Sequence, residues 1–162
     1  MKQILLVVAV ATMTFGAFAE ETHFFQASLT PEIALRPKTD RISGISLSIV
    51  GSNPQNGLEL GFVNGSTDES SGFAWGLWND TETFNGVSWA FVNTCSKKFS
   101  GWQSGLVNIS KEFHGLQTGL VNYTDSLRGV QLGVVCIVND NPWFTEFPDK
   151  LAKGFVFLNW SF

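Results

Sequence analysis

GWQSGLVNISKEFH (101–114), GLQTGLVNYTDSLR (115–128) and GVQLGVVC (129–136) follow one another without a gap. Glycine stands at the first and fifth positions of each, an apolar residue follows each glycine, and Val-Asn closes two of the three. Upstream, GLELGFVN (57–64), GFAWGLWN (72–79) and GVSWAFVN (86–93) fit the same frame. The repeat starts, Gly57, Gly72, Gly86, Gly101, Gly115 and Gly129, lie 15, 14, 15, 14 and 14 residues apart. A period this regular specifies an architecture built from one repeated unit.

Counting offsets, with the first glycine of each repeat as zero, separates an odd and an even face. Odd positions carry bulky apolar residues, such as Phe73/Trp75/Leu77, Val87/Trp89/Phe91 and Leu116/Thr118/Leu120. Even positions carry glycine with a small or polar residue between, such as Gly57/Glu59/Gly61 and Gly115/Gln117/Gly119. Alternation of this kind is the signature of a half-buried strand. Ser/Thr-, Lys- and Asp/Glu-rich segments separate the units. The asparagine at offset seven (Asn64, Asn79, Asn93, Asn108, Asn122) suits turn entry, because its side chain can bond nearby backbone. Four of these asparagines also begin Asn-x-Ser/Thr, the N-glycosylation pattern.

Before the repeats, RISGISLSIVG (41–51) alternates in the same way, and Asn53-Pro54-Gln55-Asn56 reads as a turn. Residues 20–40 hold one short apolar stretch, His23 to Leu29, then Pro31 and Pro37, giving an N-terminal strand and an irregular link. Residues 1–19 read as an export signal: Lys2, a largely apolar run from Ile4 to Phe15, and Ala17-Phe18-Ala19 as a cleavage pattern. Residues 41–162 form a single repeat-built domain.

Composition agrees with a β-rich exported chain. Charged residues make up 15%, while Phe numbers 15, Trp 6 and Gly 16, and soluble domains usually carry about a quarter charged residues. A net charge of −4 with scattered Lys and Arg excludes the basic footprint of nucleic-acid binding. Cys95 and Cys136 stand three repeats apart, roughly 14 Å at about 4.8 Å per strand. A disulfide needs Cα atoms within about 7 Å, so both read as unpaired.

The chain ends GFVFLNWSF, with Val156, Leu158, Trp160 and Phe162 on one face. That ending resembles the C-terminal strand of bacterial outer-membrane β-barrels. The repeats resemble a family of small exported bacterial surface-repeat proteins with G-Φ-Q-x-G-Φ-V-N units. The likeness covers roughly 41–138 and the tail, although repeats 57–93 lack the glutamine. It implies a place in a Gram-negative-type envelope, outer-membrane lipids as surroundings, and assembly machinery reading the last strand. It implies no reaction.

One strand from Arg41, six repeats and the tail make eight, the smallest closed membrane barrel. The sequence therefore leads to an all-β, about eight-stranded antiparallel barrel of 14–15-residue repeats, located in the outer membrane with a structural or surface-interaction role. The alternative is a secreted or periplasmic β-solenoid binding module, one coil per repeat. It explains why every turn looks alike. Against it, ISKEF and YTDSL would have to enter the interior with their charges. A small pore or a lipid-modifying barrel enzyme is a remoter reading. The sequence carries no catalytic, cofactor-binding or metal motif: neither zinc spacing, nor G-x-S-x-G, nor a phosphate loop. His114 with, for instance, Ser110 or Ser126 would make a lipase-like Ser-His pair, and Glu59 stands out as a carboxylate on the glycine face. The tryptophans (Trp75, Trp78, Trp89, Trp102, Trp143, Trp160) read as interface anchors or packing.

Overall fold

The computed structural model describes residues 21–162, so the segment read as an export signal, 1–19, lies outside the described residues. Eight strands follow in order: β1 (Thr22–Thr30), β2 (Ile33–Ala34), β3 (Arg41–Val50), β4 (Asn53–Trp75), β5 (Trp78–Trp89), β6 (Val92–Ser104), β7 (Val107–Val138) and β8 (Gly154–Ser161). They form one sheet in the order β2-β1-β3-β4-β5-β6-β7-β8. From β1 to β7 every neighbouring pair except β1–β2 is parallel, with like positions in register: Asn64 beside Asn79, Gly86 beside Gly101, Trp102 beside Leu116. The expected antiparallel barrel is thereby corrected. The chain is a β-solenoid in which each 14–15-residue repeat makes one coil.

The reason lies in identical side chains stacking on one another. Asn64 Nδ2 donates to Asn79 Oδ1 at 2.8 Å, Asn79 to Asn93 at 3.3 Å, Asn93 to Asn108 at 2.8 Å and Asn108 to Asn122 at 2.8 Å. The ladder ends on Cys136, whose Sγ accepts from Asn122 at 3.7 Å. Gln131 Nε2 donates to Gln117, and Gln117 to Gln103, both at 2.8 Å. Phe84, Phe99 and Phe113 form a third column, their rings stacked at 5.5 Å centroid spacing. Only a parallel, in-register stack sets each residue over its own counterpart; in an antiparallel meander the asparagine of one repeat would face the start of the next. The asparagines are therefore interior ladder members and not turn residues. All five are fully buried, which closes the Asn-x-Ser/Thr positions to glycosylation in the folded chain.

The interior is polar where side chains bond coil to coil and apolar along the phenylalanine column, which Cys95, Leu127 and Val138 extend. The charges of ISKEF and YTDSL do not enter it. Ser110 and Phe113, and in the next coil Thr124 and Leu127, point inward, while Lys111 is exposed and Glu112 half-exposed. Strict alternation lapses at this corner, because two successive residues face outward. Here too the coil length is adjusted. The 15-residue coils carry an extra residue at bulges between Ser66 and Glu69 and between Cys95 and Lys98.

The first glycine of each repeat is a backbone requirement. Gly101 has φ +129°, and a Cβ there would lie 2.0 Å from the carbonyl oxygen of Gly86 in the neighbouring coil. Glycine thus serves close approach between coils.

Both ends of the stack are covered by antiparallel elements, as repeat folds require. Leu35 N donates to Ala27 O at 2.9 Å as β2 folds onto β1. At the other end β8 runs back along the last coil, with Val130 beside Trp160 and Gln131 beside Asn159. Leu151 N then donates to Trp160 O at 3.2 Å, and Phe162 N to Asp149 O at 3.1 Å, so the 139–153 segment shields the outer edge of β8. The aromatic tail is a lid on the stack in place of a closing barrel strand. The Asn53–Asn56 segment, expected as a turn, opens β4; Asn53, Pro54 and Gln55 are buried.

Cys95 and Cys136 are free and buried. Cys95 Sγ donates to Glu82 O at 3.3 Å.

Candidate functional site

Bends at Gly76-Leu77, Ala90-Phe91 and Gly105-Leu106, the corner bulges and the kinks at the positive-φ glycines divide each coil into three sides. The first runs from the first glycine to the second, the next through Φ-Val-Asn-x-x, and the third through the linking segment. Side chains point alternately in and out along the first two. On the first side the even offsets hold the Gln ladder, so the odd, apolar residues face out as the count expects. On the second side the phase shifts at the bend: Asn at offset seven faces in, and offset six, as at Trp78, faces out.

The outcome is a wall. Phe62, Leu77, Phe91, Leu106, Leu120 and Val134 form an exposed ridge at the corner of successive coils. Beside it stands a second column containing Leu60, Trp75 and Trp89, with glycine or alanine between the two columns. Four coils of this arrangement make an open groove of about 660 Å³, floored by Gly61, Gly76, Ala90 and Gly105. Glycine at the fifth repeat position thus leaves room outside as well as permitting close coil contact. Trp78 and Trp102 lie on the same two sides, and each indole N–H is satisfied within the stack, by Thr94 Oγ1 at 3.1 Å and Thr118 Oγ1 at 3.0 Å.

Charge is partitioned sharply. Across the first nine positions of all six repeats, the only outward charged residue is Asp80, which accepts from Thr94 Oγ1. The third side carries both signs: Lys97 pairs with Glu82 at 2.7 Å, Lys98 with Glu112 at 3.0 Å, and His114 with Glu112 at 3.0 Å. Lys98 and His114 draw the Glu112 carboxyl below its ordinary range.

The Ser-His pairing considered from sequence does not form. Ser110 is interior and donates to Gln103 Oε1 at 3.0 Å, whereas His114 sits on the charged side with Glu112. Ser126 lines the same surface depression as His114. Among the described residues no hydrogen bond joins that imidazole to either serine.

Glu59 occupies the interior position that Gln103 and Gln117 hold in later coils, and is 2% exposed. Ser66 Oγ donates to its Oε2 at 2.6 Å, while Oε1 has no partner among the described residues. Burial raises its pKa from an ordinary 4.5 to about 7, against the smaller opposite effect of Ser66. Because the folded value lies above the unfolded one, the fold favours the acid form. Glu59's contribution is complete below about pH 4.5 and is lost as pH rises through about 7, a swing of about 3 kcal/mol. The urea midpoint is expected to fall between pH 5 and pH 8, and Glu59→Gln is expected to abolish most of that fall. An unchanged pH slope in the glutamine variant would refute the assignment.

No family profile matches the chain, and no curated protein or solved structure shows significant similarity to it.

Proposed function

We propose that this is an exported envelope protein that lies on a lipid surface through its uncharged wall, in a structural or surface-interaction role without catalysis. The observation that carries this reading is the partition of charge: two sides of the solenoid present aliphatic and aromatic groups with Asp80 as their single outward charge. Contiguous apolar surface of this extent marks an interaction face. Tryptophans whose N–H groups are already bonded suit the boundary between headgroups and acyl chains. The third side, with Lys97, Lys98 and Glu112, favours lying on the bilayer over spanning it, since charges facing acyl chains are costly. Lipid of the cell envelope is the surface that the reading of residues 1–19 as an export signal supports. A soluble binding module is the second reading, favoured by the open, glycine-floored groove of about 660 Å³.

Flotation with phosphatidylethanolamine/phosphatidylglycerol vesicles tests the proposal. The protein is expected to rise with the vesicles. The double substitution Phe91→Glu/Leu106→Glu, at ridge positions 57% and 47% exposed, is expected to lower partitioning on the order of 100-fold while leaving the circular dichroism spectrum unchanged. A wild-type chain that stays at the bottom of the gradient overturns the lipid reading in favour of the soluble module.

A further inference from the structure

We propose that Glu21, His23 and Asp40 bind a divalent transition-metal ion of the zinc type at the N-terminal end of the solenoid. Glu21 and His23 are two positions apart at the start of β1, so their side chains share a face. Asp40 immediately precedes β3, and the β1–β3 pairing begins at Thr22 and Arg41. Arg41 N donates to Glu21 O at 2.8 Å, which brings the Asp40 carboxylate alongside the other two groups.

The spacing is that of a coordination shell. His23 Nε2 lies 3.0 Å from Asp40 Oδ2 and 3.5 Å from Glu21 Oε2, and all three candidate donor atoms fall within 4.8 Å of one another. Around a tetrahedral zinc ion with bonds of about 2.0–2.1 Å, neighbouring donor atoms stand about 3.3 Å apart. Nε2 carries at most one proton, so an imidazole alone cannot give a full hydrogen bond to each carboxylate. A metal ion satisfies all three donors together and offsets the two negative charges.

The inner part of the site is held in place. Asp40 is 8% exposed, its N donates to Pro37 O at 3.1 Å, and its carbonyl accepts from Asn53 Nδ2 at 3.0 Å. Asn53 is itself fixed by Gln26, whose Nε2 donates to Asn53 Oδ1 at 3.0 Å. Glu21 is exposed, so the site loads directly from solvent. One imidazole nitrogen and two carboxylates suit zinc and its first-row neighbours, while magnesium and calcium favour oxygen alone. Three protein donors leave a fourth position for water. The ion would tie the start of β1 to the start of β3, at the N-terminal end of the stack.

The test uses the chain without a histidine tag, stripped with chelator, then titrated calorimetrically with zinc and, in parallel, magnesium. One zinc ion is expected to bind per chain, with magnesium at least 100-fold weaker. Free zinc a hundredfold above Kd is expected to raise Tm by about 5–10 °C. His23→Ala is expected to abolish the rise, and His114→Ala to retain it. Glu21→Gln changes an exposed side chain and serves if the alanine variant does not fold; it is expected to weaken zinc binding at least tenfold. Absence of zinc binding by the wild-type chain, or wild-type affinity in Glu21→Gln or His23→Ala, overturns the site.

Discussion

Replacing Asn108 with leucine is expected to cost about 3–6 kcal/mol and leave the solenoid marginal. Leucine keeps the branching at Cγ but exchanges the amide for two bulkier methyl groups, so the loss of polar pairing is joined by some overpacking. Asn108 Nδ2 donates to Thr118 O at 2.9 Å and Asn122 Oδ1 at 2.8 Å, and its Oδ1 accepts from Asn93 Nδ2 at 2.8 Å. Leucine strips a partner from each of these three fully or partly buried groups. Leaving a buried polar group without its bond costs about 1–3 kcal/mol, and a domain of this kind has about 5–15 kcal/mol in total. Asn64 gives the internal comparison. Its Oδ1 already has no partner among the described residues, because Gly51 stands where an asparagine would extend the ladder. Asn64→Leu is therefore expected to cost less than Asn108→Leu. Urea unfolding of both variants checks the pair, and a cost below about 1 kcal/mol at position 108 would refute the ladder.

The second large effect is expected at Gly101. Alanine there introduces a Cβ 2.0 Å from Gly86 O, at a backbone φ of +129° that side chains rarely adopt. The obstacle is backbone of the adjacent coil, so no rotamer relieves it, and the coils must separate where β5 and β6 pair. Strain and overpacking together amount to about 3–5 kcal/mol. Gly119→Leu is disruptive for a related reason, since its Cβ would lie 2.4 Å from Gly105 O. Leu120→Val, on the exposed ridge, is expected to be tolerated. Thermal unfolding of Gly101→Ala beside Leu120→Val separates the two roles, and equal Tm values would contradict them.

Much of this architecture is legible in the sequence, and the residues show where legibility stops. The period of 14–15 residues and the two faces follow from counting, and Gln103, Gln117 and Gln131 do lie inside. Counting by twos cannot tell a parallel from an antiparallel neighbour, because both keep the same alternation. The deciding signal was asparagine at offset seven in five successive repeats, which only an in-register stack can pair. The charges of ISKEF misled for a different reason. Lys111 and Glu112 both face outward between inward-facing Ser110 and Phe113, and a corner of that kind has no period to reveal it. The Glu21, His23 and Asp40 cluster lies before the repeats begin. His23 and Asp40 are 17 residues apart, a separation set by the longer first coil, which no repeat pattern describes. Glu59 was visible as a carboxylate on the interior face, but its unpaired Oε1 depends on small neighbours that only the fold brings together.

Disulfide trapping tests the central claim most directly. In the solenoid Trp102 and Leu116 are register partners on adjacent parallel coils, at a spacing of about 4.8 Å that a disulfide can bridge. In an antiparallel meander Leu116 would instead oppose residues near Val107. Two double variants should be oxidised after replacing both native cysteines with serine: Trp102→Cys/Leu116→Cys and Val107→Cys/Leu116→Cys. The solenoid account predicts efficient closure of the first pair and little of the second. Closure of the second pair with the first left reduced would contradict it.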